Sequence, residues 1–100
     1  ADVVVGAHAH VLQGVEFYKN KPLVYNLGNF LFNAKTGDTG ILKIHVDGEG
    51  TLSYEFQPAI QKDCYTEIVD GEERARILRF MERISIGTTF GEDGFFTPAA

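Results

Sequence analysis

The chain has 100 residues, 44% apolar and 23% charged, with fourteen acidic against nine basic side chains and a net charge of −5. That excludes more than one domain and a disordered chain, and it leaves no basic face for nucleic acid. No apolar run approaches the roughly 18 residues of a membrane-spanning helix, and the lone cysteine, Cys64, excludes an intrachain disulfide.

Val3 to Val5 is a continuous β-branched run ending at Gly6, the pattern of a strand covered on both faces. With no initiator methionine and no leader pattern before it, this start predicts further residues upstream. Val15 and Phe17, then Leu23 and Tyr25, alternate around Lys19-Asn20-Lys21-Pro22, which predicts a hairpin with Pro22 opening its second strand. Leu27 to Phe32 is apolar with a glycine break and is read as a buried corner or a short strand. Lys35 to Gly40 has the composition of a surface loop.

Leu42, Ile44 and Val46 alternate with Lys43 and His45; beyond Asp47-Gly48-Glu49-Gly50, Leu52, Tyr54 and Phe56 alternate in the same way. This predicts a half-buried antiparallel hairpin with His45 on its solvated face. Cys64 is read as a small, half-buried apolar residue. Asp70 as N-cap, Glu73 three residues on and Gly87 as a stop frame a helix over 71–86. Ile77, Leu78, Phe80, Met81 and Ile84 share one arc of it. The arginines take the solvated side, with Glu72 able to pair with Arg76. Residues 87–100 have no period and are read as an extended or partly disordered tail, with Phe90, Phe95 and Phe96 free to dock on a neighbour.

The chemistry concentrates in Gly6-Ala7-His8-Ala9-His10, at the C-terminal end of the first strand, where sheet proteins gather ligands. In an extended His-x-His both imidazoles point to one side, with Cα atoms roughly 6.5–7 Å apart. Such a pair can hold one ion, or two ions about 3.5–4 Å apart. Spacing alone leaves this open, since two histidines in one loop often bind nothing and a hydrolytic site also needs carboxylates. Glu16 is the nearest carboxylate in sequence, as a residue orienting a histidine or as a solvated hairpin residue. There is no G-x-S-x-G elbow, P-loop, dinucleotide fingerprint or C-x-x-C pair.

The run VVVGAHAHVLQGVEFYKNKPLVYNLGNFLF resembles the C-terminal signature of the CapA family, the bacterial poly-gamma-glutamate capsule-synthesis proteins. That signature is a hydrophobic strand, then G-x-H-P-H-V-x-Q, a hairpin ending in K-x-K-P, and Y-S-L-G-N-F. Here Ala9 replaces the usual proline and Asn26 stands where serine is common. Some relatives carry the first histidine where this chain has Ala7, so His10 is the firmer position.

The family is similar in fold to calcineurin-like metallophosphatases. The resemblance therefore implies an α+β fold: a mostly antiparallel sheet with a C-terminal helix, the C-terminal half of a two-sheet αββα domain, spanning residues 1–86. It implies His8 and His10 as ligands of divalent metal ions (Mn, Zn or Fe) in the full-length protein, with Gln13, Glu16 and Asn29 as second-layer candidates. Phe30 cannot ligate, so Gly28-Asn29-Phe30 is not that fold's Asn-His motif. The carboxylate ligands would come from an N-terminal half.

Two functions follow. One is a metal-dependent phosphoesterase-like hydrolase, for which these residues alone are insufficient. The other is a non-catalytic subunit of a capsule polymer synthesis or export assembly. The implied partners are the missing half of the domain or another copy, and capsule machinery at the membrane. The implied location is the cell envelope or extracellular face, with any anchor upstream.

Overall fold

The computed structural model describes residues 1–30 and 36–99. The element order is β1 (Val4–Val5), β2 (Val15–Tyr18), β3 (Lys21–Val24), β4 (Gly37–Val46), β5 (Leu52–Lys62), β6 (Tyr65–Ile68), α1 (Gly71–Ile84), β7 (Thr88–Phe90) and β8 (Phe96–Pro98). Strand-rich with one helix among the described residues, this is the expected α+β class.

The first sheet has the order β1-β3-β2, with β1 parallel to β3 and β2 antiparallel to it. Lys19 and Asn20 form the β2–β3 turn with φ of 51° and 63°, the left-handed pair that a two-residue hairpin demands. Pro22 pairs with Phe17 beyond the reach of β1, so its missing donor costs the sheet nothing. The expectation of a strand covered on both faces fails at β1: Val4 and Val5 are about half exposed, at 48% and 50%. Among the described residues β1 pairs only with β3.

The open edge of β2 is closed differently. Val15 N–H donates to Ser85 Oγ at 2.9 Å, and Thr88 Oγ1 donates to the Val15 carbonyl at 3.2 Å. All three residues are buried, so these side chains satisfy backbone groups that a further strand would otherwise have to meet. They also pin the first sheet to the segment that follows α1.

The second sheet runs β4-β5-β6, fully antiparallel. The predicted hairpin forms in register, with Leu42 opposite Phe56, Ile44 opposite Tyr54 and Val46 opposite Leu52, but its half-buried face stops short of the turn, where Ile44 and Val46 are exposed along with Lys43 and His45. The loop expected at Lys35–Gly40 is corrected over its described part, since Gly37 to Gly40 continue β4 against Pro58 to Gln61. Gly40 is required there because a Cβ would meet the Phe56 ring at 2.4 Å. Loop-like composition lost to long-range pairing.

Cys64 is also corrected: it is exposed, in the turn that joins β5 to β6. Asp63 and Cys64 take φ of 50° and 67° there. The buried corner expected over Leu27–Phe32 holds neither at Gly28 and Asn29, which are half-buried, nor at Phe30, which is 46% exposed. Leu31 and Phe32 lie outside the described residues.

Helix α1 buries Ile77, Leu78 and Met81. The capping box does not form. Asp70 holds the N-cap position without a side-chain cap bond, and Glu73 instead accepts from Arg76. Arg76 thus pairs with Glu73 rather than Glu72, and it reaches Asp38 on β4 with two bonds of 2.9 and 2.8 Å.

The largest correction is the tail. Residues 88–98 fold as the β7–β8 hairpin, and Phe90 and Phe96 join Leu12, Val15, Val24, Phe56 and the buried face of α1 in one core. Phe56 N–H donates to the Gly94 carbonyl at 2.8 Å, which fastens the hairpin to β5.

Candidate metal centre

The site loop leaves β1 at Gly6, whose N–H donates to the Val24 carbonyl at 2.7 Å. His8 and His10 then both adopt positive φ, 93° and 65°. This corrects the expectation of an extended His-x-His, because an extended strand has negative φ throughout. Positive φ costs a non-glycine residue on the order of 1–2 kcal/mol, so two such residues in three mark a strained turn. The rings nonetheless lie side by side, with centroids 6.1 Å apart and planes inclined by 47°, and both residues are exposed.

The opposite wall is built by the chain after β3. Leu12 and Leu27 form an isolated antiparallel bridge, and Gln13 N–H donates to the Asn26 carbonyl at 3.0 Å. Asn26 is buried, and its Oδ1 accepts from Gly28 N–H at 2.9 Å. Gly28 has φ of +79°, and a Cβ there would stand 3.0 Å from the Asp38 carbonyl and 3.2 Å from Leu12 N. Thr39 Oγ1 donates to the Leu27 carbonyl at 2.6 Å. These bonds present Asn29, whose Oδ1 lies 2.6 Å from His10 Nδ1.

His10 and Asn29 line a cleft of about 230 Å³ with Asp38, Thr36 and Phe80 among its other walls. The remaining candidates lie elsewhere. Gln13 contributes its backbone N–H to the Leu12–Leu27 junction and its residue is exposed. Glu16 sits on β2, where its Oε2 accepts from the Tyr25 hydroxyl at 3.4 Å, so its contact is with Tyr25 and not with a histidine.

Asp38 is the residue that local reading missed. It is 28 positions from His10 and lies in the Gly37–Gly40 extension of β4, a stretch with the composition of a loop. Both its oxygens are engaged by Arg76, whose guanidinium is held charged by Asp38 first and Glu73 second. Asp38 is therefore a neutralised wall, not an open carboxylate.

A tetrahedral ion at roughly 2.0–2.1 Å from two imidazole nitrogens would hold their ring centres about 5 Å apart. The 6.1 Å between His8 and His10 is wider, closer to two neighbouring ions about 3.5–4 Å apart or to one ion after a small ring rotation. Two imidazoles fit zinc or iron in kind, and manganese only with added oxygen ligands, and they make an incomplete shell. Among the described residues no group of three His, Cys, Asp or Glu comes together.

A larger cleft of about 370 Å³ runs between α1 and Gly91–Glu92 and contains neither histidine. Arg74 and Arg79 line it together with Glu82 and Glu92, so opposite charges offset one another there.

Residues 1–34 match the family described as bacterial capsule synthesis protein PGA_cap. The PGA biosynthesis protein CapA of Bacillus subtilis is 38% identical over 61 residues, 58% of this chain and 16% of that one. The capsule biosynthesis protein CapA of Bacillus anthracis is 32% identical over 83 residues, 79% of this chain and 20% of that one. An uncharacterized protein of Sinorhizobium fredii is 48% identical over 73 residues, 73% of this chain and 14% of that one. The chain thus spans a fifth or less of the length of these relatives. No solved structure matches it. The chain belongs to the CapA family and carries part of that family's domain.

Proposed function

We propose that these residues supply the last histidine motif of a metal-dependent, phosphoesterase-like site in a protein of poly-gamma-glutamate capsule biosynthesis at the cell envelope. The observation that carries the reading is the built contact between His10 and Asn29 at 2.6 Å, beside a second imidazole, on a loop that accepts strain at both histidines. Backbone strain of this kind persists where surrounding structure over-determines it, and it clusters at ligand sites.

His8 and His10 would be the neutral ligands, and Asn29 the orienting partner of His10. Divalent metal would supply Lewis acidity and an activated water to the full-length protein. This chain's residues would hold the ions from one side only. Glu16 is turned to Tyr25 rather than to a histidine, and Gln13 meets this part of the site through its backbone N–H to Asn26.

In this reading the fold is the C-terminal half of a two-sheet αββα domain, and the partner is the remainder of that domain. The exposed Val4 and Val5 on a parallel edge strand support it, since parallel strands are ordinarily covered on both faces. Metal analysis of the full-length protein against His10→Ala tests the site. Retention of less metal by the variant is the expected result. Equal metal in both removes His10 and leaves the non-catalytic assembly role as the better reading.

A further inference from the structure

We infer that Asn29 is a positioning residue that fixes the tautomer of His10, directing Nε2 rather than Nδ1 toward any bound ion. The inference rests on the metal-site reading above and deepens it. An amide oxygen only accepts hydrogen bonds. With Asn29 Oδ1 at 2.6 Å from His10 Nδ1, the proton of the neutral ring sits on Nδ1 and the ligating lone pair is at Nε2.

The acceptor is held before any ligand arrives. Asn26, buried, ties its side-chain oxygen to Gly28 N–H, and Thr39 grips the Leu27 carbonyl. Gly28 occupies a backbone conformation and a space that a side chain would contest. Asn29 is thus fixed from the residues preceding it, while His10 is fixed across the Leu12–Leu27 bridge. A free imidazole favours the Nε2–H form, so the pairing inverts a default, and an outer partner of this kind typically changes metal affinity about 10–100-fold.

The test uses the full-length protein with 15N-labelled histidine, at a pH where the rings are neutral, and reads the two nitrogen shifts of His10. Wild-type protein should show Nδ1–H. Asn29→Leu should shift His10 toward Nε2–H and weaken Zn(II) binding about 10–100-fold. Asn29→Asp, which keeps an acceptor oxygen, should retain Nδ1–H. His45, whose Nε2 faces Glu55 Oε1 at 3.0 Å, should be unmoved in all three, which separates a local effect from misfolding. An Nε2–H His10 in wild-type protein, or an Asn29→Leu variant with an unchanged tautomer, overturns the inference. Zn(II) content is read separately: its insensitivity to His10→Ala refutes the metal reading, whereas the tautomer result bears on Asn29 alone.

Discussion

Phe96→Ala is the sharpest probe of the core, because it tests a residue that composition assigns to a tail. Phe96 is 1% exposed and lies 5.1 Å from Phe90, 5.9 Å from Tyr54 and 6.1 Å from Phe17, ring centre to ring centre. Those three rings come from β7, β5 and β2, so truncation opens a void where both sheets and the hairpin meet. Removing a buried phenylalanine costs about 3–5 kcal/mol, a large share of the roughly 5–15 kcal/mol that holds a domain folded. At about 4–8 °C per kcal/mol for a domain of this size, the midpoint should fall by at least about 12 °C. Thermal and urea unfolding followed by far-ultraviolet circular dichroism measure it. Phe95→Ala is the internal control. Its ring lies over His45 at 5.1 Å and is only partly buried, so a loss of about 1 kcal/mol is expected. Equal losses at Phe95 and Phe96 would refute the reasoning, since the hairpin would then be a surface appendage.

Three further outcomes are expected. Gly40→Ala should destabilise by about 1–3 kcal/mol through overpacking, because the new Cβ meets a buried Phe56 ring at 2.4 Å and the Gln57 carbonyl at 2.8 Å; urea midpoints would show it. A double-mutant cycle on Arg76→Met and Asp38→Asn should return a coupling of no more than about 1 kcal/mol, shrinking with salt, because Arg76 is 45% exposed. A coupling several times larger would mean that the pair is effectively dry. The Asp47 carboxylate is held below its ordinary range by N–H groups of Thr51 and Glu49. Its contribution to turn order is therefore present above the ordinary carboxylate range and lost as pH falls through the lowered folded value. The amide shifts of Thr51 and Glu49, followed by NMR, should move with that low midpoint; an inflection at or above the ordinary value would contradict it.

Fold elements were legible wherever the deciding force is local. The β4–β5 pairing, the Lys19–Asn20 turn and the buried stripe of α1 all follow from side-chain period and turn chemistry, and all three form. Legibility stopped where a partner far along the chain decides. Gly37 to Gly40 become strand because Pro58 to Gln61 lie opposite them. Glu73 leaves the helix cap because the Arg76 guanidinium, held in place by Asp38 on β4, draws its carboxylate away with charge. Phe90 and Phe96 are spaced without period, yet the Gly94 carbonyl docks on β5 and carries both rings into the core.

The site divides along the same line. Three of the bonds that set the His10–Asn29 contact (Gly6 to Val24, Gln13 to Asn26, Gly28 to Asn26) are made within residues 1–34, the span of the family match, and a fourth, from Thr39 to the Leu27 carbonyl, reaches in from β4. The neutralised Asp38, the Phe80 wall and the Ser85–Thr88 clasp on Val15 come from beyond it. The signature therefore records a largely local geometry rather than a string of ligands, and the remainder of the chain, Thr39 first, acts as its support. A substitution in the clasp separates the two roles. Thr88→Val removes a buried hydroxyl donor from the Val15 carbonyl at the cost of about 1–3 kcal/mol, and it should leave the His10 tautomer as in the parent. If that change at residue 88 altered the tautomer, the contact between His10 and Asn29 would depend on the whole core, and the site would not be separable from its support.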